Sequence, residues 1–112
     1  MEKRAFGKVL AVSQEFKTSF DNIHKYTLEE FGVFQAKHYV EKIESAVDLL
    51  PVRYLIHSEC RHIRTKSQMY RNIILDAHLI IYRVTKERVE VLDIVHSSSS
   101  VSKIRSTRQI QI

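Results

Sequence analysis

The chain has 112 residues, 44% hydrophobic and 28% charged, with 18 Lys and Arg against 13 Asp and Glu. These values are ordinary for one soluble globular domain, and no apolar run reaches the roughly 20 residues that a membrane-spanning helix needs. Cys60 is the only cysteine, which excludes an internal disulfide, so we expect a reducing, cytoplasmic setting.

The positive charge belongs to the second half of the chain. Residues 1–50 carry seven Lys and Arg against eight Asp and Glu, a net charge of −1. Residues 51–112 carry eleven against five, a net charge of +6. A basic half on a small domain favours an anionic partner, which would be nucleic acid, an acidic peptide or an acidic protein. A basic surface without such a partner is the alternative.

The N-terminal part of the chain predicts a strand followed by a helix. The first twelve residues are partly basic, have only a short apolar stretch and lack a small-residue cleavage site, so we expect no signal peptide. Lys8–Val12 is a candidate strand, and Ser13 is a candidate N-cap for the helix that follows. A stripe at spacings of four, three and four then predicts an amphipathic helix: Phe16, Phe20, Ile23 and Thr27.

Gly32 separates this helix from a second one. Glycine tolerates the left-handed backbone past a helix C-terminus, so Phe31-Gly32 is predicted to end the first helix. Spacings of four and three recur from Ala36 to Leu50, and Pro51 is expected to stop the second helix because it cannot continue the hydrogen-bond ladder. The two segments predict an antiparallel helical hairpin, with the aromatic residues at 16, 20, 26, 31, 34 and 39 packing its core.

Three strands are predicted between Tyr70 and His96. Apolar runs at 73–75, 79–84 and 89–95 are separated by polar or small residues of turn length. The polar segment before them has no clear period, with one candidate strand around Arg61–Thr65. This order predicts an α+β fold, in which a short N-terminal strand and an antiparallel helical hairpin pack on a small antiparallel sheet of three to four C-terminal strands.

Four serines end the strand pattern. After Ser97–Ser100, Val101–Ile112 form a basic, polar tail with scattered isoleucines. We expect this tail to be exposed, and whether it is disordered until a partner binds stays open. The predicted organisation is one domain over residues 1–97 and a C-terminal tail over residues 98–112.

The order of elements and four sequence segments resemble the RelE/ParE superfamily of bacterial type II toxins, and its ParE-like branch in particular. In chain order, the segments are Ile23…Tyr26 with Glu29-Glu30-Phe31-Gly32, the run from Ala36 to Pro51, Leu79-Ile80-Ile81-Tyr82-Arg83-Val84, and Val91-Leu92-Asp93-Ile94-Val95-His96. They span roughly residues 8–97. The resemblance implies a plasmid-stabilisation toxin without a cofactor that forms a hetero-oligomer with a cognate antitoxin.

The two branches of the superfamily imply different targets. RelE-type members cleave messenger RNA on the ribosome, whereas ParE-type members poison DNA gyrase and have no established catalytic residues. RelE-type ribonucleases keep a basic residue near the start of the penultimate strand and a basic cluster after the last strand, positions that are Leu79 and Ser97–Ser100 here. RNA cleavage needs a group that activates the 2′-hydroxyl and cations that hold the phosphate, and serine supplies neither.

A ParE-like toxin that inhibits DNA gyrase is therefore the predicted function. ParE-like members normally follow the histidine of the last strand with Gly-Arg-Arg, which serines replace here. A ribosome-dependent messenger RNA endonuclease and a degenerate toxin that retains only antitoxin binding are the alternatives. By resemblance, the helical hairpin from Ser13 to Leu50 would contact the target. The sheet groove and its edge would receive an acidic antitoxin segment as a helix and a strand.

Candidate site residues lie on the last strands and on the segment before them. His96 is a candidate general base, since an imidazole titrates near pH 6.5, although a packed strand-end histidine is the alternative. A basic face for a target or antitoxin is predicted from Arg61, Arg64, Arg71, Tyr82 and Arg83, and strand alternation leaves open whether they share a face. His57, Cys60 and His62 have metal-ligand types, but without a second pair we predict no metal site.

Overall fold

The computed structural model describes residues 7–112, and its elements follow the predicted order. They are β1 (Val9–Val12), α1 (Gln14–Phe31), α2 (Val33–Asp48), α3 (Leu50–Arg53), β2 (Tyr70–Ile74), β3 (His78–Val84), β4 (Arg88–His96) and α4 (Val101–Ser106), then a 3₁₀ helix over Thr107–Gln109. The predicted α+β class is confirmed. Within these residues no helix combines the length and apolarity that a bilayer span requires. The signal-peptide expectation concerns a segment whose first six residues lie outside the described part.

Ser13 fixes the start of α1 to the sheet as well as capping it. Its hydroxyl oxygen accepts a hydrogen bond from the Phe16 amide at 2.9 Å, as predicted for an N-cap, and donates one to the Leu92 carbonyl at 2.5 Å. Gly32 joins α1 to α2 directly with φ 89° and ψ 178°, a backbone conformation that is essentially restricted to glycine. One residue therefore turns the chain between the two long helices.

Pro51 does not end the second helical segment in the way the sequence predicted. α2 already ends at Asp48, and Pro51 lies in the first turn of the short helix α3. Proline suits a first turn because its missing N–H would have no helical acceptor there. The Pro51 carbonyl accepts a hydrogen bond from the Lys8 amide at 2.9 Å, so α3 lies beside the start of β1.

The sheet has the strand order β1-β4-β3-β2, which places β4 near its centre. β3 pairs antiparallel with both β2 and β4, as predicted for the three C-terminal strands. β1 joins β4 in parallel, which makes the complete four-stranded sheet mixed.

A bulge in β4 offsets its pairing with β3 by one residue. The register changes between Ile81 and Tyr82, so one residue of β4 is extra at that point. Beyond the bulge His78 lies opposite His96. An unbroken register would have placed Val95 there.

Two apolar clusters occupy the two faces of the sheet. The first lies between the sheet and the helical hairpin and contains Phe16, Ile43, Val47, Leu50, Ile73, Ile80, Tyr82, Val89, Val91 and Ile94. The second lies on the opposite face and contains Cys60, Ile63, Ile81, Leu92, Val95 and Ile104. Because strand side chains alternate between faces, the near-continuous apolar runs of β3 and β4 supply both clusters.

The predicted strand around Arg61–Thr65 is absent from the structure. The chain forms turns there, including a hydrogen bond from the Ile63 amide to the Cys60 carbonyl at 3.1 Å. Cys60 and Ile63 are both buried in the second cluster. Side chains three residues apart share one face in a turn but not in a strand, so the apolar spacing of this segment suits the turn.

The C-terminal tail is packed on the sheet, contrary to the expectation that it is exposed. Ser100 caps α4 by accepting a hydrogen bond from the Lys103 amide at 3.1 Å. Ile104 is 2% exposed within the second cluster, and Thr107 is buried next to it. The scattered isoleucines of the tail thus cover an apolar sheet face that would otherwise meet water, and this burial favours an ordered tail.

Candidate functional site

His96 ends β4 as one member of a cluster of three titratable side chains, which we call the histidine cluster (Tyr39, His78 and His96). The ring centroids of His78 and His96 are 5.5 Å apart with an interplanar angle of 72°. The Tyr39 hydroxyl of α2 lies 2.7 Å from Nδ1 of His78, within hydrogen-bond distance. The β4 bulge is what brings the two histidines opposite each other.

Two members of the histidine cluster, His78 and Tyr39, lie in surroundings that favour their neutral forms. Burial lowers the pKa of His78, and the neighbouring His96 lowers it further. Burial raises the pKa of the Tyr39 hydroxyl, an effect that a backbone hydrogen bond at Ala77 opposes in part. At pH 7 His78 and Tyr39 therefore form a neutral hydrogen-bonded pair.

His96 itself is exposed, with one ring nitrogen already engaged. Its Nδ1 accepts a hydrogen bond from the Ser98 amide at 3.0 Å, and the Ser98 hydroxyl lies 2.7 Å from the same atom. An imidazole that accepts at Nδ1 carries its proton on Nε2 when neutral. In this arrangement the Nε2–H of His96 is the free donor, and the basic nitrogen, Nδ1, is already occupied by Ser98.

The surface beside the histidine cluster is poorly suited to hold a phosphate. A pocket of about 380 Å³ next to Tyr39 is lined by the carboxylates of Glu41 and Asp76, and its Lys42 ammonium lies 3.3 Å from Asp76. The loop after His96 consists of Ser97–Ser100 and carries no cation. The two carboxylates would therefore repel an approaching phosphodiester.

The arginines of the predicted basic face lie at different places on the fold. Arg61 and Arg64 are exposed on the turn segment, with Arg64 3.9 Å from the Glu59 carboxylate. Arg71 is half-buried and donates from Nη1 to the His57 carbonyl at 2.7 Å. Arg83 lies on the opposite face of the sheet, so the structure does not bring the four arginines together.

Arg83 connects β3 to β4 and to the tail. Its Nε donates to Glu90 at 2.6 Å, and its terminal nitrogens donate to the carbonyls of Arg108 and Ile110 at 3.4 and 3.2 Å. Burial alone would raise the pKa of Glu90, but hydrogen bonds from Arg83 and Arg88 outweigh it and lower that pKa. These contacts give Arg83 a role in holding the tail against the sheet.

Tyr82 is a core residue, which contradicts its predicted role in partner contact. Its side chain is completely buried, and the hydroxyl donates to the Tyr54 carbonyl at 2.8 Å. Burial raises the pKa of Tyr82 to about 12. No part of this side chain reaches the surface of the fold.

The candidate metal ligands on the turn segment do not assemble into a site. Over residues 7–112, no three His, Cys, Asp or Glu side chains come together in a way that would hold a metal ion. Cys60 is buried in the second cluster, and burial raises the pKa of its thiol. The reactive thiolate form is therefore disfavoured.

An exposed apolar patch at the turn of the helical hairpin was not predicted, because the sequence placed these aromatic residues in the core. We call it the hairpin tip, and it consists of Tyr26, Leu28, Phe31, Val33 and Phe34, which are 60, 41, 61, 69 and 90% exposed. Five large apolar side chains within nine residues around a helix-linking glycine were the signal available in the sequence. Exposed apolar patches of this kind mark protein-binding surfaces.

The sequence and the fold have counterparts among known proteins. A family model described as the ParE toxin of a type II toxin-antitoxin system matches residues 10–101. Toxin ParE1 of Mycobacterium tuberculosis is 27% identical over 93 residues, covering 82% of this chain and 92% of that protein. Toxin ParE1 of Caulobacter vibrioides is 25% identical over 91 residues, covering 81% and 91%.

Two solved structures share the fold. The chromosomal ParDE toxin-antitoxin system from P. aeruginosa contains a chain with a TM-score of 0.66 at 18% identity, covering 80% of this chain and 95% of that one. The toxin-antitoxin complex RelBE2 from Mycobacterium tuberculosis contains one with a TM-score of 0.56 at 9% identity, covering 88% and 100%.

Proposed function

Because the chain belongs to the ParE toxin family of type II toxin-antitoxin systems, we propose that it inhibits DNA gyrase in the cytoplasm and that a cognate antitoxin neutralises it by forming a hetero-oligomer. The hairpin tip is the observation that carries the target assignment. A toxin that blocks a large protein enzyme needs a protein-binding surface more than a catalytic centre, and the superfamily resemblance implies that the hairpin contacts the target.

The hairpin tip has the composition of a binding surface. Phe34 is 90% exposed, and the rings of Tyr26 and Phe31 pack edge to face with centroids 6.4 Å apart. A few residues carry most of the binding energy of a protein interface, Tyr is enriched among them, and Phe is enriched at interface cores. Their exposure costs about 25 cal/mol per Å² of apolar surface, which a protein partner would recover.

The edge of the sheet supports the antitoxin part of the proposal. β2 is an edge strand of the sheet. On its outer side, the backbone amide of Asn72 already donates a hydrogen bond to the Ser58 carbonyl at 3.1 Å. Further along β2, Ile74 is 69% exposed and has no backbone partner on the outer side among residues 7–112. An antitoxin strand could add to the sheet there.

A supercoiling assay with purified DNA gyrase tests the proposal directly. We expect the purified chain to inhibit ATP-dependent supercoiling, and we expect the Phe31→Ser/Phe34→Ser double variant to lose that inhibition. Val101→Ser is the matched control, because Val101 is an exposed aliphatic residue outside the hairpin. Gyrase activity that is unchanged at every concentration of the native chain would refute the proposal, and equal inhibition by the double variant would remove the hairpin tip from it.

The antitoxin part has its own test in cells. Expression of the chain alone should arrest growth, with thymidine incorporation falling before methionine incorporation. Co-expression of a neighbouring reading frame that encodes an acidic protein should restore growth and yield a co-purifying complex. Growth that continues unchanged when the native chain is expressed alone would point to a degenerate toxin.

The histidine cluster favours a second candidate function, a ribosome-dependent messenger RNA endonuclease. Two histidines with ring centroids 5.5 Å apart could share the acid and base roles of RNA cleavage. If so, methionine incorporation falls first, and His96→Ala abolishes cleavage on translating ribosomes. Cleavage that survives in His96→Ala would exclude this candidate.

A further inference from the structure

A second pocket, of about 270 Å³, lies where the turn between β3 and β4 meets the segment before β2, and it shares no residue with the histidine cluster. Its cationic lining residues are Arg71 and Lys86, and its apolar ones are Leu55, Met69 and Val84. Among residues 7–112, no Asp or Glu lines it. We call it the Arg71 pocket. Glu59, which pairs with Arg71 in an isolated β-bridge, and Glu87, which follows Lys86 in the turn, are not among the lining residues. The two positive charges in the lining make the pocket attractive to an anion.

The guanidinium of Arg71 is only partly satisfied by the described residues. Nη1 donates to the His57 carbonyl at 2.7 Å. Nε is buried and has no hydrogen-bond acceptor within residues 7–112. Arg71 also forms no ion pair with any of these residues. A buried donor without an acceptor is destabilising, so an arriving acceptor that engages this guanidinium would recover free energy.

A third cation strengthens the positive field at this place. Nζ of Lys8 donates to the carbonyls of Thr85 and Lys86 at 2.9 and 2.5 Å, and it lies 5.0 Å from the centre of the Tyr54 ring. The ammonium therefore occupies two carbonyl oxygens of the β3–β4 turn that would otherwise repel an anion. These contacts fix the turn that carries Lys86, a lining residue of the Arg71 pocket.

The apolar surroundings indicate which anion fits. Val52, Leu55 and Ile56 are 57, 63 and 70% exposed on α3 and the turn that follows it. A nucleic-acid backbone prefers a wet surface with many cations, whereas an acidic side chain flanked by aliphatic ones matches both kinds of lining here. We propose that the Arg71 pocket binds a Glu or Asp carboxylate of an acidic, amphipathic antitoxin segment, an inference that rests on the proposed antitoxin partner.

A titration monitored by nuclear magnetic resonance tests this inference on the whole chain. The probe is acetyl-Glu-Leu-Glu-Leu-amide, compared with its Gln counterpart and with inorganic phosphate, and the signals are the Arg71 Nε–H resonance and the backbone amides of residues 67–69 and 84–86. We expect saturable shifts with the Glu peptide and about tenfold weaker binding of the Gln peptide, because a charge-assisted hydrogen bond is lost.

Variants separate the Arg71 pocket from general surface charge. Arg71→Gln should weaken binding of the Glu peptide about tenfold. Arg108→Gln, which changes an exposed arginine outside the pocket, should leave it unchanged. Lys86→Gln, in a surface turn, replaces the first variant if Arg71→Gln does not fold. Binding that survives both pocket variants, or the absence of saturable shifts, would overturn the inference. Phosphate binding as strong as that of the Glu peptide would do so too, since it would indicate a nucleic-acid site.

The experiments distinguish a failure of the gyrase proposal from a failure of the Arg71-pocket inference. The gyrase assay uses the toxin without any acidic peptide, so a negative result there leaves the peptide titration intact. Loss of peptide binding likewise leaves inhibition of gyrase by the hairpin tip untouched.

Discussion

The Ile104→Ala variant tests whether the packed tail contributes to the free energy of unfolding of the whole domain. Ile104 is 2% exposed and belongs to the second apolar cluster, so the change removes three buried carbon atoms from it. At about 0.8 kcal/mol per buried methylene the loss is about 2.5 kcal/mol. We expect little additional cavity cost, because a short helix near the chain end can settle into the space. The free energy of unfolding should fall by about 2.5 kcal/mol, and Tm by about 10 °C.

Urea denaturation followed by circular dichroism measures this loss. Val101→Ala is the matched control, since Val101 lies on the same helix but is 42% exposed, and it should change the free energy of unfolding by less than about 0.5 kcal/mol. An Ile104→Ala variant within about 0.5 kcal/mol of the native chain would refute the reasoning. Fast hydrogen exchange confined to α4 would then show that the tail opens by itself without cost to the sheet.

Three further outcomes follow from the structure. Ser13→Ala loses an N-cap and a buried hydrogen bond and should lower the free energy of unfolding by about 2 kcal/mol. The exposed Ser45→Ala should change it by less than about 0.5 kcal/mol in the same urea assay. In Gly32→Ala the added Cβ meets no atom within 4 Å, so any loss of stability would come from backbone strain alone. We expect the free energy of unfolding, measured by thermal unfolding, to fall by about 1–3 kcal/mol. Unchanged stability would refute that strain. Because the pKa of His78 is lowered, the unfolded chain takes up this proton at a higher pH than the folded one, and stability should fall as the pH drops below about 6.5. His78→Gln should flatten that fall in urea titrations, with a residual slope from His57, whose pKa is also lowered by burial. An unchanged slope would count against the His78 assignment.

The regular elements of the fold were accessible from the sequence because each carries its own period. The stripe from Phe16 and the run from Ala36 specify two helices by local spacing alone, and the apolar runs after Tyr70 specify the strands. The turn segment and the tail were read wrongly for a common reason. Their few apolar side chains follow no period, and their order depends on the sheet face they cover.

The candidate site depended on contacts that no local pattern encodes. The histidines at 78 and 96 looked isolated in the sequence, and only the β4 bulge places them side by side. The third member of the cluster, Tyr39, lies on α2, 39 positions before His78. Arg71 and Arg83 do not form one basic face, because strand alternation places them on opposite sides of the sheet. The exposure of Phe34 depends on where the hairpin ends relative to the sheet.

The parallel pairing of β1 with β4 sets the order in which this toxin can fold. Val9 lies opposite Arg88, 79 positions further along the chain, and the Ser13 amide donates to the Val91 carbonyl at 3.0 Å. A contact across such a separation forms slowly, because a long loop must close before it gains any stabilising interaction. The helical hairpin can form early, but β1 gains its partner in the sheet only after β4 has been synthesised. The mixed sheet is therefore completed after the hairpin, and more slowly than a helical protein of equal length forms its contacts.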